Sequence, residues 1–210
     1  MPPEILEMRM LELLKDYGHI LLGLDLAGSS RRPTGYAYMK EGNMKVGLLY
    51  EDKDIMELAR GFSYVFVDAP LSLPAGRKSL EDMGPHFREC DLMLRSLGHK
   101  FFPVTLGPMR KLTERGMRLA RDLMLVGVEV VETFPGALYD SLGVRRKSKE
   151  DIRELYKRLG LKLEEREYSQ DELDSVACWL SGLCYLAGKA QILSGKDGTI
   201  VVGSMKCVRS

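Results

Sequence analysis

The run Ser63-Tyr-Val-Phe-Val-Asp68 constrains the fold of this chain more than any other segment. Tyr64, Val65, Phe66 and Val67 are apolar without alternation, so a strand built from them has to be buried on both faces. Such a strand lies inside a sheet that carries helices on each side. A second run of the same kind, His19-Ile-Leu-Leu-Gly-Leu-Asp25, precedes it, and both runs end in an aspartate.

The remaining elements follow from periodicity. Thr34–Met39 alternates, Glu41-Gly-Asn43 supplies a turn, and Met44–Tyr50 reads as a third strand, so the first three strands form an antiparallel meander. Lys53–Arg60 is a short helix before the strand that ends at Asp68. Helical segments are predicted at Phe87–Leu97 and Lys111–Leu125, and then a strand at Val128–Phe134, cut off by Pro135-Gly136. Helices Lys149–Leu159 and Asp171–Ala187 follow, with a last short strand at Thr199–Val202. Short right-handed connections place strand one centrally, beside strand four.

The predicted fold is therefore α/β: a mixed five-stranded sheet with helices on both faces and a helical insertion over about 77–126 after strand four. Nothing in the 210 residues suggests a linker or repeat, so the chain reads as one domain. An extra amphipathic helix within about 1–17 carries Ile5, Met8, Leu11 and Leu14 at helical spacing. It docks on its own domain or across a homodimer interface.

Charge excludes one class of function. With 31 Lys and Arg against 30 Asp and Glu the net charge is +1, so the protein does not bind nucleic acid by bulk charge, although one basic face remains open to it. No apolar stretch reaches the roughly 18 residues of a membrane span. The four cysteines form no metal-binding cluster with the three histidines; Cys178 and Cys184 fall in an apolar helical pattern and read as buried thiols, which points to the cytoplasm.

The acids carry the chemistry. Asp25 and Asp68 close two buried strands where apolar residues would be expected, and an isolated buried carboxylate needs a partner or a metal. Ser169 and Glu172 form a capping box that starts the last long helix, which puts Asp171 and Asp174 three apart on one face. Asp174 borders the apolar stripe and points toward the sheet; Asp171 also fits a plain helix-dipole role. Glu132, near the end of its strand, is either a further site acid or a salt-bridge acid. Carboxylates converging without Cys or His favour Mg²⁺ or Mn²⁺. Two such ions suit phosphodiester hydrolysis.

These residues resemble a known family. The pieces are Gly23-Leu-Asp25-Leu-Ala-Gly28, Asp68-Ala-Pro70-Leu71, Arg88-Glu-Cys-Asp91-x-x-x-Arg95, Glu132-Thr-Phe-Pro135-Gly136 and Asp171-x-x-Asp174-Ser-x-Ala177, spread over about residues 20–203. Their order is similar to the RNase H-like superfamily, especially its Holliday-junction resolvase branch. More closely, the chain resembles the predicted RNase H-like nucleases called domain of unknown function 429. The resemblance implies an RNase H-like fold and a two-metal nuclease site carried by Asp25, Asp68 and Asp174, with Asp171 or Glu132. Its implied partner is nucleic acid, DNA or RNA.

Arg88, Asp91 and Arg95, at helical spacing, are candidates for contacting phosphate or orienting the acids. Lys111, Arg115 and Arg118 form a basic stripe, and Arg145-Arg146-Lys147 with Lys149 a second patch. Each has a bland alternative as a solvated helix face. Two other functions compete with the nuclease: a scaffold of the same fold that binds nucleic acid or protein without cutting, and, less favoured, an actin-like phosphotransferase.

Overall fold

The structure is a computed structural model in which residues 12–204 are described. Residues 12–17 are helical (α1) and run into a 3-10 turn at Gly18–Ile20. The remainder of the expected N-terminal helix lies outside the described residues. Five strands, β1 (Leu21–Asp25), β2 (Thr34–Lys40), β3 (Asn43–Leu49), β4 (Tyr64–Asp68) and β5 (Glu129–Glu132), form one sheet in the order β3-β2-β1-β4-β5. β2 pairs antiparallel with β1 and β3, while β4 pairs parallel with both β1 and β5, so only β2 runs against the rest. This is the mixed five-stranded α/β sheet that the sequence predicts, with β1 and β4 adjacent as expected.

Helices cover both faces. On one, α2 (Asp52–Ala59) and α4 (Gly107–Met124) pack Ile55, Ala59, Leu119 and Leu123 against Leu22, Leu24, Val65 and Val67. On the other, α7 (Gln170–Leu186) lies on β1 and β2, backed by α5 (Pro135–Ser141) and α6 (Lys149–Arg158). Alternation along the strands decides which residues meet α7. Leu21, Gly23 and Asp25 of β1, and Phe66 and Asp68 of β4, share the α7 face. Two glycines bring α7 down onto the sheet: a Cβ on Gly23 would lie 2.2 Å from the Ser175 carbonyl oxygen, and one on Gly35 would lie 1.9 Å from that of Asp171.

The segment after β4 carries the two expected helices, preceded by an irregular stretch. Residues 69–88 are irregular, and α3 (Glu89–Ser96) packs beside a separate two-stranded sheet of β6 (Gln191–Gly195) and β7 (Gly198–Val202). α4 belongs to the main sheet's helical layer. β7 covers the predicted last strand and is bridged through Val201 to Thr133, the residue after β5. Two elements were not predicted. Pro135 starts α5 instead of merely ending β5, since proline suits the first helical turn. β6 is exposed and weakly alternating, but Gly195-Lys-Asp-Gly198 is the turn signal that could have revealed its hairpin. The expectation of two buried thiols holds for Cys178, which is free; Cys184 is disulfide-bonded.

Candidate functional site

Four aspartates meet at the carboxyl end of the sheet. Asp25 and Asp68 are direct partners across the parallel β1/β4 pair, so their side chains leave the sheet side by side on the α7 face. Gly35 faces Asp25 from β2, and the Asp171 backbone rests on Gly35, which sets the first turn of α7 directly over Asp25. Asp25 and Asp68 are half-buried, and neither carboxylate has a hydrogen bond or ion pair among the described residues. Burial pushes the pKa of Asp25 well above its ordinary value, and the charges of Asp68, Asp174 and Asp171 add to it, with Arg32 opposing. Asp68 is raised to about 8 by burial, then by Asp174 and Glu132, with Arg146 opposing.

The capping box holds the start of α7 in place. Ser169 Oγ accepts from the Glu172 amide at 3.1 Å, and Glu172 Oε2 accepts from the Ser169 amide at 2.8 Å. One turn on, Asp174 Oδ1 accepts from Gln170 Nε2 and from the Tyr139 hydroxyl, each at 2.8 Å. Tyr139 is itself fully buried beside Tyr156, whose hydroxyl donates to the Leu173 carbonyl at 2.7 Å. Burial raises the Asp174 pKa to about 6 against the lowering effect of those two hydrogen bonds. Both bonds fall on Oδ1, and Oδ2 has no partner among the described residues. Tyr139 and Gln170 are positioning residues that the sequence reading missed. Gln170 stands four residues before Asp174, a spacing that could have flagged it; Tyr139 is brought there only by the tertiary fold.

Glu132, Arg88 and Asp91 stand in a different arrangement. Glu132 pairs in register with Val67, not Asp68, so its side chain leaves the opposite face of the sheet. There Arg88, 1% exposed, binds Glu132 with Nη1 and Nη2, both at 2.6 Å. It also binds Asp91 at 3.1 and 2.7 Å and Ser72 at 3.0 Å. All five guanidinium donors are thus spent on protein acceptors, and none is left for a phosphate. Burial alone would lower the Arg88 pKa; the carboxylates of Glu132 and Asp91 reverse this and keep it protonated. Glu132 also accepts from the Leu71 amide at 2.9 Å, so the cluster anchors the loop that follows Asp68. Arg95 is exposed and lies over the Phe87 ring, 4.7 Å from its centroid.

The basic stripe on α4 also divides. Arg115, 4% exposed, donates to Asp52 Oδ1 and to the Ala27 and Tyr50 carbonyls at 2.7–2.8 Å, while Arg118 pairs with Asp52. Lys111 of that stripe is exposed and has no ion pair among the described residues. In the second patch, Arg146 lies over Phe134 and is held by Asp140, close enough to lower the pKa of both Asp68 and Asp174.

The donor set suits a hard divalent cation: oxygen-only ligands, two carboxylates without protein partners, and repulsion that a cation would relieve. Among the described residues, no three or more His, Cys, Asp or Glu side chains form a ready-made metal cage. Ligation would therefore need these carboxylates to turn toward one another. A cavity of about 860 Å³ lies between α6 and residues 160–165; it includes none of these acids and is walled mainly by charged side chains of mixed sign. No helix among the described residues is long and apolar enough to cross a membrane.

No protein-family model matches the chain, and no curated protein matches it. Among solved structures it is similar to "Thermus thermophilus RuvC structure", at 13% identity and a TM-score of 0.36, over 80% of this chain and 96% of that one.

Proposed function

We propose that the protein is a metal-dependent nuclease that hydrolyses phosphodiester bonds. One observation carries this reading: Asp25 and Asp68 stand side by side at the ends of two central strands, without protein partners, under the Asp171 and Asp174 turn of α7. A fold gains nothing from such mutual repulsion unless a cation uses it. Asp25, Asp68 and Asp174 would hold Mg²⁺ or Mn²⁺, with Asp171 nearby. The bound ions would supply an activated water and stabilise the leaving oxygen. Tyr139 and Gln170 hold Asp174 by one oxygen and leave the other for ligation. Glu132, through Arg88 and the Leu71 amide, keeps the loop after Asp68 in place. The motif resemblance implies the same chemistry on nucleic acid, but no family model matches the chain.

A second reading is a scaffold of the same fold that binds nucleic acid without cutting it. The lack of a ready-made metal cage among the described residues favours it. The test is Mn²⁺ calorimetry combined with cleavage assays on labelled DNA and RNA, with wild type and Asp25→Asn. The nuclease reading expects Mn²⁺ binding and metal-dependent cleavage in wild type, both lost in Asp25→Asn while the fold is retained. Nucleic-acid binding without Mn²⁺ binding or cleavage would establish the scaffold instead.

A further inference from the structure

A cavity of about 310 Å³ opens beside the acids, between the β1–β2 loop and the start of α4. Asp25 and Asp171 form one wall. Arg32 and Lys111 line it as well, both exposed and neither with a salt bridge or side-chain hydrogen bond among the described residues. Pro33, Met109 and Leu112 supply apolar surface between them. Both signs of charge thus line one cavity, and the two cations form no ion pair with its acids among the described residues.

The cleft is preformed. Arg115, buried behind it, ties the Ala27 carbonyl to Tyr50 and Asp52, and Thr34 Oγ1 accepts from the Ala27 amide at 3.1 Å. Both ends of the loop that carries Arg32 are therefore fastened, and the walls need little reordering on binding.

We infer that this cleft is a subsite for one unstacked nucleotide of the substrate strand: its phosphates lie at Arg32 and Lys111, and its base lies on Pro33, Met109 and Leu112. The inference rests on the nuclease reading and narrows it to a substrate class. A cavity near the small end of ligand sites, roughly 300–1,000 Å³, takes a single nucleotide and not a base pair. A duplex would have to unpair a base to fill it, at a cost of a few kcal/mol. Strands that are already single, or unpaired at a junction, meet no such cost. The carboxylates then face the phosphodiester next to the seated nucleotide.

The test measures binding of fluorescent single-stranded DNA, single-stranded RNA and duplex DNA, with Ca²⁺ as the divalent ion, across a salt series. Wild type is compared with the Arg32→Ala/Lys111→Ala double variant and with Met109→Trp, which fills the cleft without changing its charge. Wild type is expected to prefer single strands, and the two single-stranded probes tell DNA from RNA. The double variant should bind them roughly tenfold to a hundredfold more weakly, with a salt slope shallower by about 1.4, the share of two phosphate contacts at ~0.7 each. Met109→Trp should weaken binding while keeping the wild-type slope. Because Arg32 and Lys111 hold no side-chain partner among the described residues, both variants should keep a cooperative thermal melt. Equal single-strand binding by the double variant overturns the subsite, as does a wild-type protein that prefers duplex or binds no nucleic acid. Failure of wild type to bind Mn²⁺ or cleave defeats the nuclease reading separately; wild-type cleavage with an unaffected double variant defeats only the subsite.

Discussion

Replacing Asp68 with asparagine should stabilise the protein at alkaline pH, because the site is built against the fold. Asp68 titrates at about 8 in the folded protein, raised first by burial and then by Asp174 and Glu132. Unfolded, it would titrate at roughly 4. Between those values the folded state holds a proton that the unfolded state lacks, so stability falls as pH rises, by at most about 1.4 kcal/mol per unit. The full interval would amount to about 5 kcal/mol, but Asp68 is half-buried and shares its protonation with Asp25 and Asp174. A gain of about 2–4 kcal/mol for Asp68→Asn at pH 8 is expected. For a chain of this size that is roughly 5–15 °C in Tm. The gain should shrink as pH falls and vanish near pH 4, where the aspartate is protonated in both states. Asp52, Asp140 and Asp151 have lowered pKa values, so their stabilisation is lost only below about pH 4 and adds no slope in this window. The assay is thermal unfolding of wild type and variant from pH 5 to 9, with and without Mn²⁺. Mn²⁺ should raise the wild-type Tm more at pH 8 than at pH 6, since protons compete for the same oxygens. A variant no more stable than wild type at pH 8, or a difference that does not narrow toward acid, would refute the reasoning.

Two further outcomes follow from the packing. Arg88→Met should cost about 3–5 kcal/mol in urea denaturation, because it leaves Glu132 and Asp91 buried and unpaired; a loss below 1 kcal/mol would return Arg88 to the list of phosphate contacts. Gly35→Ala should cost about 2–3 kcal/mol, since its Cβ would lie 1.9 Å from the Asp171 carbonyl and lift the first turn of α7 off β2. An unchanged denaturation midpoint would show that α7 is not seated there.

The sheet was readable from residue patterns because burial writes itself into the chain. A run such as Tyr64–Val67 fits only a strand covered twice, and the Ser169/Glu172 capping box marked the start of α7 to within a residue. Asp25 and Asp68 were legible for the same reason, as charges at positions that otherwise demand apolar side chains. Their direct pairing needed the β1/β4 register. Glu132 shows where sequence order runs out: it lies at the right end of the right sheet, yet a register that matches it with Val67 turns its side chain to the opposite face. Arg88 and Arg115 looked like surface cations because helical spacing does not report burial. Tyr139 could not be found at all, since its contact with Asp174 spans 35 residues and depends on how α5 packs against α7. Local sequence determined the elements and the acids that end them. Tertiary structure alone decided which acids face one another and which are neutralised, because both depend on register and packing between segments far apart in the chain.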